Sequence, residues 1–169
     1  MKIIAIGRNY AKHAEELNNA VPSDPIIFLK PDTALIKNNN PFYHPSFSKD
    51  IQHEIEIQQK CKENGWPWEL AKSFDHSAPV GNFISKKDFA DISNINFQLN
   101  VNGAIKQKGN TKNMLFPFDK IISFVSQYIT LKKGDLLFTG TPEGVSKIKI
   151  GDRLQGYLED KNLLDFYIR

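Results

Sequence analysis

Phe97, Leu99 and Val101 alternate with Gln98 and Asn100 and run straight into Asn102-Gly103, after which residues 104–107 turn back. Alternation at period two puts the three apolar side chains on one face of a strand, and Asn-Gly supplies the positive φ angles that a two-residue turn needs. The chain therefore commits here to an antiparallel hairpin with one buried face, and the rest of the fold has to supply the surface that covers it. Other short apolar runs fit the same style. Residues 2–6 and 26–30 read as strands, the second halted by Pro31, and Gly134-Asp135 and Gly151-Asp152 are two turns of one type that lead into strands at 136–138 and 153–158. Residues 163–168 read as a closing strand.

Helical signals are fewer. Phe118, Ile121, Ile122, Val125, Tyr128 and Ile129 recur at helical spacing, which predicts an amphipathic helix over 118–129 packed on the sheet. Residues 10–17 have helical composition, with Asn9 placed to cap them. Short strands, frequent turns and few helices describe an α+β, mostly β fold. At 169 residues, 40% of them apolar, the sequence carries enough for one core, and a single domain over 1–169 is expected.

The 22 basic residues comprise 19 lysines and three arginines, scattered rather than clustered, against 19 acidic ones. A nucleic-acid footprint would gather Arg and Lys into a stripe, so no nucleic-acid partner is expected, while the net charge of +3 suits small anions. No apolar run is long enough to cross a bilayer, and the run ending at Gly7 is too short for a signal-peptide core. With one cysteine, Cys61, no internal disulfide can form, and a cytoplasmic setting without membrane association is expected.

Four places carry chemical potential. In the alternating segment 52–57, Glu54 and Glu56 fall on one face, where side-by-side carboxylates suit a hard cation such as Mg²⁺ or Mn²⁺; a plain exposed strand face is the alternative. On the predicted first helix, His13 and Glu16 stand three apart, so the carboxylate can orient the imidazole as a base, although such pairs are also common on solvated helices. Thr139-Gly140-Thr141-Pro142 follows the apolar strand at 136–138 and can offer hydroxyl and backbone donors to a carboxylate, or be only a tight turn. Lys72 could pair with a substrate anion, or be one solvated lysine among many.

Taken in order, GRNYAKHAEEL, PIIFLKP, HEIEI, AKSFDHSAPVG, the Asn-Gly hairpin with QKGNTKNMLF, and GDLLFTGTPEGV resemble the fumarylacetoacetate hydrolase superfamily, and most closely its small acylpyruvase-like and oxaloacetate-decarboxylase-like branch. The resemblance covers nearly the whole chain. It implies a β-rich roll with a few flanking helices, a homodimer, and an Mg²⁺ or Mn²⁺ site. Residue by residue, it makes Glu54 and Glu56 metal ligands, pairs His13 with Glu16 as the dyad that activates water, and sets Lys72 and Thr141 at the substrate's carboxylate or enolate. Gly140 would shape that loop, and Arg8 and Tyr10 would line the site.

The implied activity is hydrolysis of a C–C bond in a small anionic keto acid, of acylpyruvate or fumarylacetoacetate type, through a metal-bound enolate. Oxaloacetate decarboxylation and isomerisation of unsaturated 2-hydroxy or 2-oxo dicarboxylates are the alternatives. One departure bears on all of them. In the family pattern a further strand, with a third acidic ligand in a segment similar to "DxTARD", separates the glutamates from the region of Gln58 to Cys61; here Ile57 meets Gln58 directly. Either an internal segment of the protein is missing from this sequence, the favoured reading because losing a core strand would expose its neighbours and a sheet edge, or the metal site is incomplete and the protein is a non-catalytic binder.

Overall fold

The computed structural model describes residues 1–47, 51–52 and 69–169. Two sheets share the core between them. The first has the order β2-β1-β7. Its middle strand, β1 (Ile3–Gly7), pairs antiparallel with β2 (Ile26–Lys30) and parallel with β7 (Leu136–Phe138). Because β1 is covered on both faces, it reads as a continuous apolar run without polar alternation. Its side chains divide by parity. Ile4 and Ile6 pack with Phe116, Ile121 and Val125, whereas Ile3 packs with Ala34 and Ala78 on the other face.

The second sheet is an antiparallel meander in the order β6-β5-β8-β9. Its strands are β5 (Asn96–Val101), β6 (Ala104–Asn110), β8 (Arg153–Leu158) and β9 (Lys161–Tyr167). The hairpin expected at Asn102-Gly103 is present, with φ of 52° and 81° at the two turn residues, as its tight two-residue turn demands. Leu99 pairs with Gln107, and the register then shifts between Leu99 and Asn100. Val101, Leu154 and Phe166 of this sheet join Ile36, Phe42, Ile51, Ile148 and Ile168 in the largest apolar cluster. A two-stranded parallel ribbon, β3 (Leu35–Ile36) with β4 (Ala78–Pro79), completes the strands among the described residues.

Among the described residues three α-helices flank them: α1 (Ala11–Glu16), α2 (Glu69–Lys72) and α3 (Phe118–Ser126). The mostly β architecture agrees with the expectation, but helix bounds differ. α3 stops at Ser126, and its spacing-matched residues Ile122 and Tyr128 are 46% and 70% exposed. The apolar period continues past the helix only as a turn, closed by Ile129 N–H donating to Val125 O at 2.9 Å. The closing strand starts two residues early, and Ile168, which lies beyond it, is fully buried and donates its N–H to Asp152 O. α1 is capped at Tyr10 without any side-chain cap bond, so Asn9 is not its cap. The predicted strand 52–57, with Glu54 and Glu56, lies outside the described residues beyond Gln52.

The two Gly-Asp turns are built alike. Asp135 accepts the Lys132 N–H at 2.8 Å, and Asp152 accepts the Lys149 N–H at 2.9 Å. Gly134 and Gly151 take φ of 92° and 97°. Asp135 also accepts the backbone N–H of Lys2 at 2.8 Å and pairs with its ammonium at 2.7 Å, which pins the start of β1 beside β7. The Lys2 side-chain bond, then the backbone donors of Lys2 and Lys132, hold the Asp135 carboxyl well below the ordinary value of 3.8. A depressed folded value means that the stabilisation is complete above the unfolded pKa and fades as pH falls through the folded one. Asp135→Asn is therefore expected to lower stability in urea unfolding at pH 7, with the gap to the wild type narrowing as pH drops below about 4. A gap that stays constant down to pH 2.5 would contradict the assignment.

Candidate functional site

Where β1 ends at Gly7, the chain turns through Arg8, at φ 54°, and Asn9 before entering α1. Asn9 is fully buried. Its Oδ1 accepts the Phe116 N–H at 2.7 Å, and its Nδ2 donates to Phe116 O at 3.1 Å and to Thr139 O at 2.7 Å. One side chain thus ties the exit of β1 to the segment entering α3 and to the loop leaving β7. Gly140, next in that loop, has φ 111°, and a Cβ there would lie 2.8 Å from the Asn9 Cβ. The close approach requires glycine.

α1 brings the expected dyad together. His13 is 2% exposed, and its Nδ1 lies 3.4 Å from Glu16 Oε2. The Gly144 N–H donates to both Glu16 oxygens, at 3.1 and 3.2 Å, from the same loop that carries Thr139 to Thr141. Gly144 sits at φ 100°, where a Cβ would meet Lys106 O of β6 at 2.1 Å. A carboxylate accepting at His13 Nδ1 selects the tautomer with its proton there and leaves Nε2 as the basic nitrogen.

A cavity of about 300 Å³ opens beside this loop, walled by Lys30, Gln52, Lys72, Phe74, Phe138 and Thr141 among others. Lys72 is only 8% exposed, which removes the solvated-lysine alternative. Its backbone carbonyl accepts from the Lys30 ammonium and from Ser77 Oγ, and Lys30 Nζ also reaches Ser77 O at 3.0 Å and Ser77 Oγ at 3.1 Å. Two ammonium groups and a hydroxyl in a largely apolar wall favour an anion of few atoms, because charge attraction strengthens where water is scarce. A second cavity of about 420 Å³, walled by Phe83, Phe97, Gln107, Pro142 and Leu164, shares Thr141 and Gly140 with the first.

The remaining expected residues fall differently. Arg8 and Tyr10 line neither cavity. Tyr10 is 4% exposed with its ring edge-on to Phe97, and burial pushes its hydroxyl up to about 12. It is a neutral core residue. His13 and Glu16 are not in the cavity walls either; they connect to the first cavity through the loop that holds Gly144 and Thr141. Glu54 and Glu56 lie outside the described residues. Among the described residues no group of three or more His, Cys, Asp or Glu could hold a metal ion. The cavity's donors at Lys72 and Thr141, with the positive charge of Lys30 beside them, suit an anionic oxygen, so carboxylates to hold a cation have to come from outside this set.

Sequence reasoning missed Gln107, Lys30 and the role of Asn9. Gln107 is the only buried position of β6 and points its amide at the loop, donating to Thr141 Oγ1 and Pro142 O, both at 2.8 Å. A polar residue on the inward parity of a strand was the available signal.

Compared with known proteins, residues 2–58 and 56–168 match the fumarylacetoacetate (FAA) hydrolase C-terminal family model. The chain belongs to the fumarylacetoacetate hydrolase family. Within that family, the mitochondrial oxaloacetate tautomerase of Bos taurus is 36% identical, over 90% of this chain and 85% of its own length. The mitochondrial oxaloacetate decarboxylase of Dictyostelium discoideum is also 36% identical, over 89% of this chain and 85% of its own. The crystal structure of fumarylpyruvate hydrolase from Pseudomonas aeruginosa in complex with Mn²⁺ and pyruvate superposes with a TM-score of 0.92 at 25% identity, covering 99% of this chain and 89% of that one. The fumarylacetoacetate hydrolase family model meets the chain in two stretches that overlap at residues 56–58. The alignment with the bovine relative runs over 187 positions, more than the 169 residues present here, so that relative carries residues without a counterpart.

Two substitutions test the scaffold of the site. Asn9→Ala removes three hydrogen bonds, two of them buried, and leaves their backbone partners unpaired, an expected loss of about 2–4 kcal/mol in urea unfolding; a loss under about 1 kcal/mol would mean that water replaces the amide. Gly144→Ala and Gly134→Ala both place a side chain at positive φ, which costs roughly 1–2 kcal/mol. Only the first also drives a Cβ into a carbonyl and pulls the N–H from Glu16, so it should cost at least about 2 kcal/mol more. Equal losses would show that the loop gives way freely.

Proposed function

We propose that this chain is a divalent-metal-dependent enzyme that takes a small 2-oxo acid through its enolate, with oxaloacetate as the substrate and decarboxylation as the net reaction. The observation that carries the reading is the small cavity walled by Lys30, Lys72 and Thr141 and joined by a single loop to the His13–Glu16 pair. The oxaloacetate relatives favour it. Mg²⁺ or Mn²⁺ held by Glu54 and Glu56 would supply Lewis-acid stabilisation of negative charge on the keto oxygen.

The chain's own groups supply the rest. Lys72 and the Thr141 hydroxyl bind oxygens of the anion and hold the breaking C–C bond in a largely apolar wall. When the bond between C3 and the departing carboxylate breaks, CO₂ leaves and its electron pair passes into the enolate of pyruvate, which is then protonated at C3. Removing a proton from C3 of intact oxaloacetate instead gives the enolate of that four-carbon acid, and protonation at the keto oxygen gives its enol, so tautomerisation draws on the same stabilisation of charge at that oxygen but also needs a base for the C3 proton. A second reading, hydrolysis of an acylpyruvate C–C bond, is favoured by the fumarylpyruvate hydrolase neighbour. There His13 Nε2 would take a proton from water while Glu16 stabilises the imidazolium.

The third acidic ligand of the family pattern belongs to a stretch absent between Ile57 and Gln58, and we place a missing internal segment there. The two family matches that meet at 56–58 and the alignment longer than the chain support this. The purified protein is then expected to exceed the 19.3 kDa of the printed sequence by several kilodaltons. With Mg²⁺ or Mn²⁺ it should release pyruvate from oxaloacetate, lose that activity to a chelator and regain it with metal. Lys72→Met should lower kcat/KM by about 100-fold or more, the size expected when a buried charge partner of an anion is removed. A mass equal to that of the printed sequence, with no turnover of oxaloacetate or of an acylpyruvate under either ion, would leave a non-catalytic binder as the better description.

A further inference from the structure

Gln107 sits on a different sheet from the elements that carry the dyad and both cavity lysines, yet its amide ends on the one loop they share. Its Nε2 lies 2.8 Å from Pro142 O and 2.8 Å from Thr141 Oγ1. A peptide carbonyl only accepts, so the atom facing Pro142 O has to be the NH₂ group; turning the amide over would set two acceptor oxygens against each other in a buried place. Gln107 is 6% exposed, so a mispaired amide there would be costly. The second hydrogen of the same NH₂ then necessarily goes to Thr141 Oγ1.

A hydroxyl that accepts from a fixed donor keeps its own hydrogen to give. Thr141 lines both cavities, so its proton is the group it can offer to whatever sits there. We infer that Gln107 is a positioning residue that polarises this site: by using its two amide hydrogens on Pro142 O and Thr141 Oγ1, it occupies one lone pair of the Thr141 hydroxyl and turns its proton outward, which favours an acceptor oxygen of an anion such as a carboxylate or enolate. A ligand that presents an N–H or O–H at this point could use only the remaining lone pair of Thr141 and would leave the hydroxyl proton without an acceptor, so it is disfavoured. The backbone around the pair is equally constrained. Gly109, two residues along β6, would place a Cβ 3.1 Å from Pro142 Cγ, and Gly144 closes on Lys106 O. β6 and the loop are therefore in direct register, and the amide cannot drift from the hydroxyl without moving both.

The inference rests on the reading that the cavity takes a 2-oxo acid, and its test separates the two. Wild type, Gln107→Glu, Thr141→Val and the double variant are compared for KM and kcat on oxaloacetate with Mg²⁺ present. Glutamate keeps the size of glutamine but accepts, so it captures the Thr141 proton and turns a lone pair toward the cavity. Gln107→Glu and Thr141→Val should each raise KM at least about ten-fold, as expected when a charge-assisted hydrogen bond is lost. The double variant should lose clearly less than the product of the two single losses, because the part of the Gln107 effect that passes through that hydroxyl is already gone in Thr141→Val.

The Gln107→Glu penalty should also shrink as pH falls and the new carboxyl regains a proton to donate, which a purely structural defect would not do. If Gln107→Glu does not fold, Gln107→Met replaces it, with a smaller rise in KM that again shrinks in the Thr141→Val background. Additive losses in the double variant, or an unchanged KM in Gln107→Glu, overturn the inference. If the wild type turns over no oxo acid, the same cycle is read as the shift in Tm produced by pyruvate with Mn²⁺. A pyruvate shift that survives all four backgrounds defeats the role of Gln107 alone, and no shift in the wild type defeats it together with the functional reading.

Discussion

Three hydrogen bonds from the buried Asn9 amide hold together parts of the chain more than a hundred residues apart. A buried amide that spends its capacity on backbone groups is costly to disturb, because each partner left unpaired bears its full desolvation penalty. The consequence reaches well beyond the local turn. With Phe116 and Thr139 fixed to the end of β1, α3 is set against Ile4 and Ile6, and the loop after β7 is delivered at a defined height beside α1. Every group discussed as functional in that loop inherits its position from this joint.

The loop in turn is shared. Its Gly144 N–H orients Glu16, its Thr141 faces both cavities, and its Pro142 carbonyl is held from β6 by Gln107. Two glycines at positive φ allow it to press against Asn9 on one side and Lys106 on the other. The arrangement is rigid because it is crowded, and rigidity is what an anion site requires if donors are to be aimed before the ligand arrives. Lys30 works in the same sense at the opposite wall, where its ammonium spends itself on the carbonyl of Lys72 and on Ser77 and so steadies the residue that carries the second charge.

Electrostatically the described cavity is one-sided, with ammonium and hydroxyl donors in a mostly apolar wall. Such a wall attracts a carboxylate, and none of the described residues that line it is acidic. Glu54 and Glu56 follow Gln52, a residue of the cavity wall, by two and four positions in sequence. In the function proposed above, an anionic substrate between the lysines and a carboxylate-held cation would be charge-balanced.

Local pattern determined the Asn-Gly hairpin, the apolar middle strand and the two Gly-Asp turns, because each depends on φ preferences and parity within a few residues. The same reasoning overran at α3, where Ile122 and Tyr128 keep helical spacing yet face solvent, and it misread Asn9 as a cap, since a short polar side chain before a helix has two uses and only the presence of Phe116 and Thr139 decides between them. Spacing alone put His13 beside Glu16, but not the Gly144 N–H that fixes the carboxylate from 128 residues away. Whether Lys72 was solvated or buried, whether Arg8 and Tyr10 reached a cavity, and which way the Gln107 amide faced were decided by tertiary packing. A hydrogen bond or a desolvated charge belongs to two surfaces at once, and a linear sequence names the residues on both without saying which of them will meet.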